Sequence, residues 1–362
     1  MKNVVIIFLV SSFSAAFVIP KIIQFSLRLK LFDDQDLYRK HHSKLVSRMG
    51  GIGIFFSYIL GLSMYVDLDN LEIHALISST LILFLLGLKD DLLGGASPLE
   101  KFSVQFLAAS ILVLFGGFEA INIVTLENDI LQWTLNTLAI ICIVLVVVNA
   151  FNFIDGIDGL AGVLGVLLNV FLGYYLLQWN DYNFGVIAFI LAGATCGFLF
   201  YNFLPNRVFM GDSGAMVIGL TTLAMCLRFI ILSTNDRTDG FPLPKLIILA
   251  LLIVPLFDVL RIFIIRSLHN KPLLTGDRNH LHHRLKDLGM RDFHVVLILV
   301  AFTGISVSIA IIGQNNDAAT TVVSLVTLCL TANSILTYIR GIHLSKTYRF
   351  FDILFVDTLN KR

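Results

Sequence analysis

Apolar stretches long enough to cross a bilayer follow one another along almost the whole of this 362-residue chain. A hydrocarbon layer roughly 30 Å thick is spanned by about 20 residues of α-helix. That template fits at 3–22, 50–66, 73–88, 102–118, 133–151, 160–178, 185–203, 214–233, 246–265, 294–313 and 320–339. Composition agrees: 57% of the residues are hydrophobic and only 14% are charged. The mean hydropathy is +0.85, more than a soluble domain needs. The expected fold is therefore all-α, a polytopic integral membrane protein with about eleven transmembrane helices.

Basic residues give these helices an orientation. Of 26 Lys and Arg, seven lie in 21–48, seven in 261–291 and five in 340–362. Lys89, Lys101 and Arg207 join that side, leaving only Lys2, Arg228, Arg237 and Lys245 on the other. The positive-inside rule then puts the N-terminus outside and the C-terminus in the cytoplasm. The run 4–20 lacks a convincing cleavage site and is followed by many more spans, so it reads as the first membrane helix and not a signal peptide. Residues 1–341 read as one transmembrane domain with cytoplasmic loops, and 342–362 as a cytoplasmic tail. Cys142, Cys196, Cys226 and Cys329 sit inside apolar runs without metal-type spacing and read as small core residues. A net charge of +1 gives no footing for nucleic acid, and none is expected as a partner. No repeat and no inverted halves are visible.

Four acidic clusters stand where the chain leaves an apolar stretch, and all fall on the cytoplasmic side. Ionisable groups are costly within hydrocarbon, so their gathering at helix ends needs a reason. The first is Lys89-Asp90-Asp91. Adjacent carboxylates cannot face one way on a helix; one can touch a cation while the other orients a neighbour or serves as a base. The plainer reading is a polar helix end with Lys89 as counter-charge. The second places Asn149, Asn152, Asp155 and Asp158 at every third residue. On an ideal α-helix they would drift by about 60° per step. A 3₁₀-like end, eased by Gly156 and Gly159, would gather them on one face. A capped end before a new helix at Leu160 is the alternative, but a cap does not need four polar groups.

The third cluster is Gly211-Asp212-Ser213-Gly214, just before a span. There a helix N-terminus could offer its N–H groups to an anion, or Asp212 could simply be the N-cap. The fourth runs from Asp277 to Arg284 and holds His280, His282 and His283. No soft ligand accompanies these histidines, and Arg278, Arg284 and Lys286 around them disfavour zinc and suit a pyrophosphate. Asp258 and Arg261, one helical turn apart, read as an internal ion pair supporting this loop. The basic segment at 39–51, with His42 and Lys44, reads either as positive-inside charge or as a lure for an anionic headgroup. Carboxylates and amides in one place suit Mg²⁺, and histidines with arginines suit phosphate. The implied protein is a membrane enzyme handling a nucleotide diphosphate at one face of the bilayer.

Together these motifs resemble the polyprenyl-phosphate N-acetylhexosamine-1-phosphate transferases over about residues 30–290. The matching elements are Lys89-Asp90-Asp91, Asn149-x-x-Asn152-x-x-Asp155-Gly-x-Asp158-Gly-Leu, Phe209-Met-Gly-Asp212-Ser-Gly and His280-Leu-His-His283-Arg. Four ordered motifs are specific where one acidic pair would not be. The Asp-Arg-x-His-Leu-His-His form looks like the WecA-type branch, whereas MraY-type enzymes carry a contiguous triple histidine. Ser47 departs from the pattern, standing where proline is usual before Arg48.

The resemblance implies transfer of a sugar 1-phosphate from a UDP-sugar to undecaprenyl phosphate, releasing UMP, as the initiating step of a cell-surface glycan. It implies that Asp212 and Asn152 bind Mg²⁺ (or Mn²⁺) and that Asp158 contacts uracil. Asp90 or Asp91 would lie near the lipid phosphate as a base, and His280, His282 and His283 would serve catalysis at the diphosphate or sugar. Asn149, Asp155, Arg278, Arg284, His42 and Lys44 complete the expected substrate-binding set. UDP-GlcNAc is the expected donor, with another UDP-N-acetylhexosamine or UDP-MurNAc-pentapeptide as alternatives. The expected place is the bacterial inner membrane with the site facing the cytoplasm, among membrane lipid, and a homodimer is left open. The rival from another class is a secondary transporter, which should hold ionisable groups near the midplane instead of at one face.

Overall fold

The computed structural model describes residues 2–29, 46–119, 121–203, 207–234, 241–268 and 279–343. His42, Lys44, Arg278 and the tail from 344 on lie outside the described residues. Regular structure among the described residues is helical, apart from one isolated parallel bridge between Ser47 and Val208. The chain divides into two compact units, Met1–Leu232 and Ser233–Arg362.

The first unit holds α1 (Lys2–Leu29), α2 (Gly50–Tyr65), α3 (Leu71–Leu93), α4 (Pro98–Phe115), α5 (Asp129–Ile154), α6 (Leu160–Gln178), α7 (Tyr182–Asn202) and α8 (Gly211–Thr234). The second holds α9 (Pro244–Leu251), α10 (Ile253–Leu268), α11 (Leu281–Lys286), α12 (Asp292–Ile312) and α13 (Ala318–His343). Among the described residues nine helices are long and apolar enough to cross a membrane, or ten if the bent pair α9–α10 is one span. The further apolar helix α2, at 16 residues, is shorter. Each of the eleven expected stretches coincides with one of these segments. Several helices outrun the apolar run, because they continue through a polar turn to a cap. Ser97 Oγ accepts from Glu100 N at 3.2 Å behind Pro98, and Asn128 caps α5 through Leu131 N at 3.0 Å.

Inside the first unit α8 is the most enclosed span, with 83% of its apolar window buried. Without water to drive apolar surfaces together, membrane helices associate through close backbone approach and interhelical hydrogen bonds. Both are present. Gly193 and Gly197, one turn apart on α7, face the Phe8 and Ser12 carbonyls of α1 so closely that no Cβ would fit. Asn169 of α6 donates to Thr222 Oγ1 of α8 at 2.7 Å in the buried middle of the unit.

In the second unit, α9 and α10 meet at a 73° bend. Pro255, in the first turn of α10, has no N–H to offer the preceding turn, which is the ordinary cause of such a break. Asp258 and Arg261 are buried on α10, where they meet the backbone of Leu281 and Asn279.

Candidate active site

The first unit gathers its carboxylates around the N-terminus of α8. Asp91, at the end of α3, accepts from Asp212 N at 2.9 Å, Ser213 N at 3.1 Å and Ser213 Oγ at 2.6 Å. The expectations for this turn are corrected in two respects. Asp212 is not the cap of α8, and the amides of its first turn are not left for an outside anion. Asp91 takes them, because a carboxylate at a helix N-terminus meets both the unpaired N–H groups and the positive end of the helix dipole. Gly211 makes the approach possible. Its φ is +74°, and a Cβ there would meet the Arg48 carbonyl and stand 2.6 Å from Asp91 Oδ2.

Asp90 and Asp212 instead share a cation. Lys101 Nζ lies 2.9 Å from Asp90 Oδ2 and 2.7 Å from Asp212 Oδ2, and Asp90 Oδ1 accepts from Ala96 N at 3.0 Å. The sequence reading counted Lys101 only as a cytoplasmic charge. Its signal was its place one turn into a helix that opens with Ser97-Pro98, directly after the acidic pair.

The expected 3₁₀-like run from 149 to 158 does not form. α5 stays α-helical to Ile154, and the chain turns through 155–159, where Gly159 adopts φ +86°. The polar residues consequently divide. Asn149 forms an amide pair with Gln105 of α4 (2.8 and 3.3 Å) and donates to Leu145 O, which commits it to helix packing. Asn152 is half-buried on the last turn of α5, and its side chain is not tied to any other described residue. Asp155 lies in the turn, close to the Gly211 amide. Burial pushes its pKa well above the usual carboxylate range, and the negative charges of Asp212, Asp158 and Asp91 push it further. Asp158 accepts from Asn202 Nδ2 at 3.2 Å. Buried Asn202, which the sequence reading missed, also accepts from Gly159 N at 2.8 Å and donates to Val208 O at 2.9 Å. Ser47 sits beside this strand-like piece, its carbonyl accepting from Phe209 N at 2.8 Å.

Among the described residues no three His, Cys, Asp or Glu side chains gather as a ready metal cage. The donors nonetheless fit Mg²⁺, which is held by one or two carboxylates plus substrate phosphates more often than by an all-protein cage. The point between Asp90 and Asp212 demands positive charge, which Lys101 supplies here.

The second unit carries the histidines. Buried Asp258 accepts from His280 Nδ1 and from Leu281 N, each at 2.8 Å. An ionised carboxylate only accepts, so Nδ1 carries a proton and the ring tautomer is set. Arg261 donates to the Asn279 carbonyl and stands 3.9 Å from Asp258. The two residues do support the loop, but by holding its backbone more than by pairing with each other. His282 is 1% exposed, and burial lowers its pKa to about 3, so it is neutral. Its ring packs 4.3 Å from that of half-buried His283 and is stacked at 5.5 Å on that of His280. Arg284, expected at the diphosphate, is buried, and it donates from Nη1 to Asn333 Oδ1 at 2.7 Å and from Nη2 to Thr337 Oγ1.

Comparison with known proteins places these motifs. The family profile described as Glycosyl transferase family 4 matches residues 73–230, the stretch carrying Asp90 through Asp212. A decaprenyl-phosphate N-acetylglucosaminephosphotransferase of Mycobacterium tuberculosis is 30% identical over 291 residues, covering 74% of this chain and 72% of the relative. An undecaprenyl-phosphate alpha-N-acetylglucosaminyl 1-phosphate transferase of Pasteurella multocida is 31% identical over 291 residues, 78% of each chain. A Bacillus subtilis protein named as a probable undecaprenyl-phosphate N-acetylglucosaminyl 1-phosphate transferase is 28% identical over 302 residues, 83% of this chain and 82% of the relative.

Proposed function

The chain belongs to the polyprenyl-phosphate N-acetylhexosamine-1-phosphate transferases of glycosyl transferase family 4, and from that premise we propose that it transfers GlcNAc-1-phosphate from UDP-GlcNAc to undecaprenyl phosphate. A phosphate oxygen of the lipid attacks the phosphorus that bears the sugar. The bond from that phosphorus to the bridging oxygen breaks, and UMP leaves with the electron pair. Both reactants are anions, so the protein's task is to neutralise charge and hold the two phosphates in line.

The observation that carries this reading is Lys101 bridging Asp90 and Asp212 at the N-terminus of α8. Asp212 and Asn152 would hold Mg²⁺, which when bound supplies charge neutralisation to the diphosphate. Asp90 is assigned to the substrate because Asp91 is engaged by the α8 amides, which supports that division of the pair. Lys101 offers the diphosphate a cation already held near its place. In the second unit, the Asp258–His280 pair fixes a ring for contact with the sugar phosphate. The distribution of Lys and Arg supports a site facing the cytoplasm, which fits a cytosolic nucleotide sugar. The family's larger donor, UDP-MurNAc-pentapeptide, needs room for a peptide at the sugar, and the loop at 274–284 reads like the branch that takes the smaller sugar.

The test is purified protein in detergent with undecaprenyl phosphate, Mg²⁺ and either UDP-sugar, the lipid product being identified by mass. Undecaprenyl-diphospho-GlcNAc as the faster product is expected. Faster turnover of UDP-MurNAc-pentapeptide, or no lipid-linked product from either, would overturn the assignment.

A further inference from the structure

The six-residue helix α11 carries His282 and His283 and is too short to hold itself in place. Its N-terminal end is tied to α10 through Asp258. Its C-terminal end is tied to the last helix. Arg284 reaches Asn333 and Thr337, and Asp287, just past the end of α11, accepts from Arg340. Asn333, Thr337 and Arg340 recur at helical spacing on the face of α13 that also buries Thr321, Leu325 and Cys329. Arg284 is 1% exposed. A buried guanidinium is costly unless its donors are met, so an arginine in this position fixes where α11 stops along α13 and how it is rotated. Thr337 completes the arrangement by donating its own hydroxyl to Asn333 O at 2.8 Å, which leaves its oxygen turned to accept.

We propose that Asn333, Thr337 and Arg340 of α13 are positioning residues that set the histidine helix through Arg284 and Asp287. The sugar-phosphate role of that helix rests on the function proposed above; the anchoring does not. Arg284 on this account never touches the diphosphate, and α13 is a working part of the histidine loop.

The test uses the full-length protein and two exchanges. Asp287→Arg and Arg340→Asp each place like charges together, and the double variant restores an opposite pair. Asn333→Leu removes an acceptor from Arg284, whereas Asn333→Asp keeps one. Ser334→Ala, whose hydroxyl bonds only within its own helix, is the control. Expected for each disrupting single variant is a fall in kcat/KM for UDP-GlcNAc of about tenfold to a hundredfold, with KM for undecaprenyl phosphate unchanged. The charge-swapped double variant and Asn333→Asp should recover most of it. Singles within about twofold of wild type overturn the proposal. So does equal loss toward both substrates with no recovery in the double variant, the mark of a merely structural contact. Should the wild type not turn over UDP-GlcNAc, the function fails and the anchor is still tested by hydrogen exchange. Amides of 281–287 should exchange faster in the singles and return to wild-type rates in the double variant; unchanged exchange in the singles overturns the anchor.

Discussion

Asp91 accepts two backbone amides and a hydroxyl from the first turn of α8 through both its oxygens, and an asparagine in its place keeps only one of them. Its NH2 would face a donor on one side. Asp91→Asn should therefore destabilise the protein by about 1–3 kcal/mol, read as an earlier unfolding midpoint in detergent. Asp90→Asn keeps shape and removes the charge facing Lys101. It should leave the midpoint near wild type and lower turnover about a hundredfold or more. If Asp91→Asn unfolds with wild-type stability while Asp90→Asn does not, the two roles are reversed. The sequence showed that an acidic pair ends α3 but not how its members divide. That division depends on α8 arriving more than a hundred residues later, and no local pattern encodes the meeting. Lys101 and the partners of Arg284 escaped for the same reason. Lys101 meets Asp212, and Arg284 meets Asn333, across long stretches of chain.

At the scale of elements the apolar runs were a good guide, because hydrocarbon leaves each span little choice but to satisfy its own backbone. The polar ends were a poorer guide. The three-residue spacing from Asn149 to Asp158 suggested one continuous face, but the helix ends at Ile154 and a turn at Gly159 carries the rest. Contacts between helices were not legible either, although Gly193 and Gly197 stood in the chain four residues apart. In the fold they admit α1 against α7. A Cβ at position 197 would run into the Ser12 carbonyl and stand 2.8 Å from Ala15 Cβ. Gly197→Ala should cost about 1–3 kcal/mol through overpacking. Gly304→Ala on α12, where a Cβ would meet nothing within 4 Å, is the matched control and should be neutral or slightly stabilising. Equal unfolding midpoints for the two variants would contradict the close approach of α1 and α7.

For the molecule as a whole, the charge count commits the account to an orientation. In a background lacking the four native cysteines, single cysteines at Ser43 and at exposed Arg291 should resist an impermeant thiol reagent applied to intact cells. A cysteine at Thr238 should react. Labelling of the first two from outside would place the loops bearing the site residues on the wrong side for a cytosolic nucleotide. The reaction itself is tested most directly by following one phosphorus atom. UDP-GlcNAc radiolabelled at the phosphorus that carries the sugar is given to the purified protein with undecaprenyl phosphate and Mg²⁺. The account predicts that the label enters the lipid diphosphate together with GlcNAc and that the released UMP is unlabelled. Label retained in released UDP, with the sugar alone on the lipid, would contradict it.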